Sequence, residues 1–218
     1  MNDFKYTLIS RNCLDGLVHR EMKLGEYTNP FVWGAFDVKS FEYLIKNFNK
    51  IKFENIIFFD LKEDFLNYIN DLGDSINVDA KSLVRESENH GTKEVYYGII
   101  DNCIVFYHIH MKYEKMKKYS YNNECKNGIE CLYNIYNRRL ERMLKLKPLF
   151  IYNIFSADIK LDTNNDIIYL STNKDIQRNN VLLYEFDFKK NSHNWEFYLK
   201  NFLIKQIENY IKENYIIN

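Results

Sequence analysis

A chain of 218 residues that is 46% hydrophobic and 17% aromatic has material for one sizeable core, and its 30 basic and 30 acidic side chains cancel. Net neutrality removes the global field that draws nucleic acid or anionic membrane, so no nucleic-acid partner is expected. With only 7 Gly and 2 Pro there is little scope for a flexible linker, and a single domain over 1–218 is expected.

The four cysteines, at 13, 103, 125 and 131, form no CxxC pair. The opening residues MNDFKYTLIS lack the basic flank, apolar run and small-residue site of a secretory leader. No apolar run approaches the roughly 20 residues that cross a bilayer. The expectation is a cytoplasmic protein with reduced thiols and no integral membrane segment.

In chain order, residues 4–10 read as a buried strand and 13–24 as a helix ended near Gly25. The loop 26–36 is aromatic-rich; Phe31, Trp33 and Phe36 either cap the core or rim a site. Asp37 is placed to N-cap a helix whose inward face is Val38, Phe41, Leu44, Ile45 and Phe48. Residues 53–60 read as a strand buried on both faces, because the apolar run barely alternates. A helix is expected over 62–72, with Phe65, Leu66 and Ile69 inward, and a short one around 79–88. Runs 93–100 and 103–111 flank Asp101-Asn102 and form a hairpin with a tight primed turn. A basic, aromatic stretch follows at 113–121. The spacing predicts a long helix from about Cys125 to Leu146, with Ile129, Leu132, Tyr133, Tyr136, Leu140, Met143 and Leu144 inward. Strands are expected at 148–155, 166–171 and 180–187. Ser192 caps a last helix bearing Trp195, Leu199, Phe202, Leu203, Ile207, Tyr210 and Ile211. This order points to an α/β fold, a mixed sheet with helices on both faces; the alternative is an α+β, papain-like arrangement.

The sharpest chemical signal is Cys13 at the strand-to-helix junction in YTLISRNCLDGL. Unpaired backbone N–H groups and the positive end of a helix dipole lower a thiol pKa there. A cysteine nucleophile needs a base, and His108 and His110, on one side of a strand, are the candidates. Asn153 or Asp37 would orient the imidazole, and Asn12 or the Cys13 N–H would serve an oxyanion hole. Arg138 and Arg142, one helical turn apart with Arg139 beside them, are candidates for binding an anionic substrate. Trp33 and His110 are further candidate substrate contacts. The bland readings are a packed thiol and a solvated arginine face. The His108-x-His110 pair could alternatively hold a metal with Cys13 or a carboxylate. No phosphate-binding glycine loop, dinucleotide fingerprint or GxSxG elbow is present, so no cofactor is expected.

The stretch LISRNCLDGLVHREMKLGEYTNPFV resembles the opening of a bacterial family often labelled exopolysaccharide biosynthesis protein. The matching residues are Ile9, Ser10, Asn12, Cys13, Gly16, Tyr27, Asn29, Pro30 and Phe31. Leu14 stands where that family commonly has an aromatic, and Asp15 where it has Gly. Later blocks match at His108, Arg138, Arg139, Arg142 and Phe150, so the likeness spans roughly 5–155. The same layout is similar to a group described as papain-like cysteine peptidases, with a Cys near the N-terminus and a His after a strand. The resemblance implies a Cys13–His108 pair in a setting that builds surface polysaccharide. There it would act as a hydrolase or as an acyl- or glycan-modifying transferase on a small-molecule or glycan substrate. The alternatives are an accessory or ligand-binding protein of such a pathway, using loop 26–36 and the arginines, and a metal enzyme built on His108 and His110.

Overall fold

The computed structural model describes residues 4–12, 14–24, 28–32, 34–72, 96–107, 117, 125–155, 157–184 and 199–216. The helix expected around 79–88, nearly all of 113–121, and Ser192 with Trp195 lie outside them. The strands in chain order are β1 (Tyr6–Ser10), β2 (Gly34–Phe36), β3 (Ile57–Phe59), β4 (Tyr96–Ile100), β5 (Cys103–Tyr107), β6 (Lys147–Phe155), β7 (Asp166–Ser171) and β8 (Val181–Leu183). The helices are α1 (Leu14–Glu21), α2 (Val38–Asn47), α3 (Lys62–Leu72), α4 (Gly128–Met143) and α5 (Ile204–Tyr215), the last entered through a π turn, Leu199–Leu203.

The class is α/β. Parallel and antiparallel pairing are both present, each kept to its own four-stranded sheet: β1-β6-β7-β8 and β2-β5-β4-β3. The first sheet is wholly parallel, with Tyr6 opposite Lys147 and Ser10 opposite Ile151. Long connections permit that pairing, whereas the two-residue turn between β4 and β5 enforces an antiparallel one. In that turn Asp101 takes a φ of 53°.

Strand alternation divides the core. Leu149 and Ile151 of β6 face α1 and α5 and pack with Val18, Met22, Ile204, Ile207 and Ile211. Phe150, Tyr152 and Ile154 face the other way, towards α2, α4 and the inner face of the second sheet. Phe41 of α2 puts its ring 6.0 Å from Phe150 and 5.8 Å from Tyr152. Helices therefore cover both faces of the parallel sheet. On the outer face of the second sheet α3 stacks Phe65 on Tyr97, centroids 4.4 Å apart.

Local chemistry sets the helix starts. Asp37 Oδ1 accepts from Lys39 N (2.8 Å) and Ser40 N (3.1 Å), as an N-cap should. At α4 the cap is Asn127, whose Oδ1 accepts from Glu130 N (2.9 Å), while Glu130 Oε2 accepts from Lys126 N (2.7 Å). This is a capping-box exchange shifted by one residue. Cys125 thus precedes the helix rather than lying on it. Of the residues expected on apolar helix faces, Val38, Leu144 and Phe202 are exposed.

Two strand expectations change. Phe53–Asn55 is a 3-10 turn, and only Ile57–Phe59 pairs, at the edge of its sheet. With a neighbour on one side only, Ile57 remains 38% exposed, while Phe58 packs against Tyr133 and Tyr136. Conversely, the end of loop 26–36 is the strand β2. Gly34 permits its close approach: a Cβ there would meet Phe31 O and Val105 Cγ2, each at 2.9 Å.

Candidate functional site

The turn from β1 into α1 is tied by side chains. Asp15 N donates to Ser10 Oγ (2.9 Å), and Ser10 N donates to Asp15 Oδ2 (3.4 Å). Gly16 N donates to Asp15 Oδ1 (2.7 Å), and the Ser10 hydroxyl donates to Asn12 O. Leu14 N donates to Asn12 Oδ1 (3.2 Å). The first N–H groups of α1, which an isolated helix leaves orphaned, are therefore taken locally. Asn29 braces the outer edge of β1 by donating to Leu8 O and to Thr7 Oγ1.

Asp15 is fully buried. Burial lifts its carboxyl well above the usual range, and the N–H groups of Gly16 and Ser10, the Ser10 hydroxyl and the charge of Arg139 pull it partly back. Arg139 comes from α4 and donates Nη1 to Val32 O (3.2 Å), its one hydrogen bond among the described residues. Burial lowers its guanidinium to about 10; Tyr107 and Asp15 oppose that shift, while Arg138 and Arg142 add to it. Tyr107, the last described residue of β5, is buried and donates to Pro30 O (2.9 Å). Its phenol is pushed up by burial, eased by Arg139 and reinforced by Asp15. Buried Asp15 and Tyr107 and part-buried Arg139 thus form one charge-coupled node that links the β1–α1 turn, the end of β5 and helix α4. A guanidinium has five N–H donors, and Arg139 uses one of them among the described residues.

Cys13, Trp33, His108 and His110 lie outside the described residues. Asn12 sits on the turn with its Oδ1 used as a cap; its amide NH2 has no partner among the described residues. Asp37 caps α2 with Oδ1, and its Oδ2 is buried without a partner. Phe36 pairs with Val105, so Asp37 stands beside Ile104. That is three residues before Tyr107, about 10 Å along a strand. Asn153 is at the same end of the parallel sheet as the turn, two residues beyond Ile151, the partner of Ser10. Its amide donates to Tyr184 Oη (3.0 Å), and its Oδ1 accepts from Phe155 N (2.9 Å). It thereby supports a β-bulge at which Phe155 takes a φ of 51°. Arg138 and Arg142 are partly buried on α4, but Arg139 is the arginine turned to the node.

Sequence reasoning passed over Ser10, Asp15 and Tyr107 as site residues. The available signal was an acid in the first turn of a short helix following a serine that ends a strand. Phe31 and Phe36 belong to the core, so neither offers an aromatic surface to a partner. Among the described residues no group of three or more His, Cys, Asp and Glu is placed to hold a metal, and no helix is long and apolar enough to cross a membrane.

The arrangement defines an α/β protein with a buried acid and tyrosine coupled by charge to a part-buried arginine near the carboxyl end of a parallel strand. Compared with models of known protein families, with curated proteins and with solved structures, the chain matches none.

Proposed function

We propose that this protein is a cysteine-nucleophile enzyme, a hydrolase or an acyl- or glycan-modifying transferase of surface-polysaccharide biosynthesis. Cys13 is the nucleophile and His108 its base. The observation that carries the reading is the shared node. Tyr107, immediately before His108, feels the charge of Asp15, two residues after Cys13, and both feel that of Arg139. Cys13 and His108 are thus close in sequence to residues that share this coupling, which supports pairing them. The resemblance at Ile9, Ser10, Asn12, Cys13 and Gly16 supports the same pair.

In this mechanism the Cys13 thiolate attacks an acyl carbon and His108 takes the thiol proton, then returns it to the leaving group. The amide NH2 of Asn12 donates to the developing oxyanion. Arg139, rather than Arg138 or Arg142, holds a negative charge on the substrate. Water or an acceptor hydroxyl then resolves the thioester.

Alkylation of Cys13 across pH 5–9, read by mass spectrometry with Cys13→Ser as control, tests the proposal. The expected result is fast labelling with an apparent pKa well below ~8.5, lost in His108→Ala. Slow labelling in the folded protein, unchanged in His108→Ala, would sink it.

A further inference from the structure

The connections β6–β7 (157–165) and β7–β8 (172–180) are both helix-free, and a cleft of about 490 Å³ opens between them. That volume is in the range of small-molecule sites. We infer that this cleft binds a small polyhydroxylated anion, a sugar phosphate or an acidic sugar. The inference does not depend on Cys13.

The lining carries two cations, Lys160 and Arg178, and no carboxylate. Arg178 is locked before any ligand arrives. Its Nη2 donates to Ile159 O (3.0 Å) and pairs with Asp158 (3.1 Å), which is not part of the lining. Its guanidinium carbon lies 4.7 Å from the centre of the Tyr169 ring. Its Nε is buried with no acceptor, so the guanidinium retains unused donor capacity. Lys160 is exposed at the mouth.

The neutral groups complement hydroxyls. Asn165 donates its amide to Ile45 O (2.7 Å) and Asn180 donates its own to Ile167 O (2.9 Å). Each amide is fixed by one of its two N–H donors, which leaves the second N–H and the Oδ1 acceptor over. Two fixed acceptors beside two cations suit a ligand that offers hydroxyl donors at one end and negative charge at the other. An uncharged sugar would leave Lys160 and the Arg178 Nε unmatched, and a bare anion would leave the acceptors unmatched.

Isothermal titration calorimetry of the full chain with glucose 1-phosphate, glucuronate, inorganic phosphate and glucose tests this. At least one of the first two should bind, with glucose and inorganic phosphate each weaker by about tenfold or more. The better of the two anions identifies phosphate or carboxylate as the charge that is read. Lys160→Ala and Asn179→Asp, both at exposed lining positions, should each weaken binding by about tenfold without changing thermal stability. Three results would overturn the inference: no binding of either sugar anion, glucose or inorganic phosphate binding as tightly as they do, or affinities unchanged in both variants.

Discussion

Ser10 and Asp15 hold each other reciprocally: the Asp15 amide donates to the Ser10 hydroxyl at 2.9 Å, and the Ser10 amide donates to the Asp15 carboxylate at 3.4 Å. The residues between them, 11–14, are the turn that carries Cys13 in the sequence. The exchange resembles a capping box spread over five residues, and it places a carboxyl group wholly out of water.

Asp15 should therefore make stability fall as pH rises. An unfolded Asp ionises near ~3.9. The folded carboxyl ionises higher because burial disfavours its charge. Between those two values the folded protein keeps a proton that the unfolded chain has lost. The stabilisation is complete below the unfolded value and is lost as pH rises through the folded one. Asp15→Asn removes this dependence. Urea denaturation across pH 4–8 should show a shallower fall in the variant, whatever constant cost the amide adds at Gly16 N. Parallel curves would show that Asp15 ionises normally.

Arg139→Gln should move that same transition to higher pH, because the guanidinium is the positive charge among the described residues that holds the Asp15 carboxyl down. The comparison is made in the same pH series. A transition left in place would mean that the two groups are not coupled. If the proposed enzyme reading holds, Arg139→Gln also raises KM for an anionic substrate more than it lowers kcat.

The buried thiols should be silent. Cys103, Cys125 and Cys131 are buried. Burial, then Asp101 and Asp37, push the Cys103 thiol up, and its Sγ donates to Ser40 O (3.4 Å). Maleimide labelling of the native protein should leave all three unmodified, with full labelling only in denaturant. Rapid native labelling of Cys103 would contradict the packing of α2 on β5.

Ser40→Ala should destabilise the fold by about 1–3 kcal/mol, the cost of leaving a buried donor unsatisfied. β2 ends at Phe36, opposite Val105, and the next β5 amide, Ile104 N, is taken by the Ser40 hydroxyl (2.9 Å). Chemical denaturation reads the loss as a lower midpoint at unchanged slope.

Gly128→Ala should also destabilise, although Ala is the better helix former. A Cβ at that position would lie 1.9 Å from Tyr96 Oη and 2.5 Å from its Cζ, and Tyr96 is buried. Overpacking of this kind costs about 1–3 kcal/mol, against a propensity gain of roughly 0.5–1 kcal/mol. A thermal melt showing a higher midpoint would mean that Tyr96 swings aside freely.

Local patterns are legible in the order of residues alone. The Asp37 cap, the Phe41, Leu44 and Ile45 face, the hairpin around Asp101-Asn102 and the inward face of α4 depend on residues near one another in the chain. Helix capping and side-chain periodicity are short-range physics, and they survive almost any tertiary context. β2 is not legible in this way, because three residues carry no periodicity; pairing with β5 makes Gly34–Phe36 a strand. For β3, the apolar run FENIIFFD promises burial on both faces, but its place at a sheet edge exposes Ile57.

The candidate site divides the same way. The sequence alone determined that a cysteine follows a strand and precedes a helix, and that three arginines crowd one helix further on. Only the tertiary structure decided that Asp15 is buried and that the charge of Arg139, not of Arg138 or Arg142, acts on it. Adjacent helical residues point about 100° apart. Which of them meets the β1–α1 turn depends on how α4 is rotated against β5 and the 28–32 loop, through contacts such as Arg139 to Val32, 107 positions apart. Contacts at that separation leave no periodic trace in the chain, because they are set by how whole elements pack rather than by neighbouring residues.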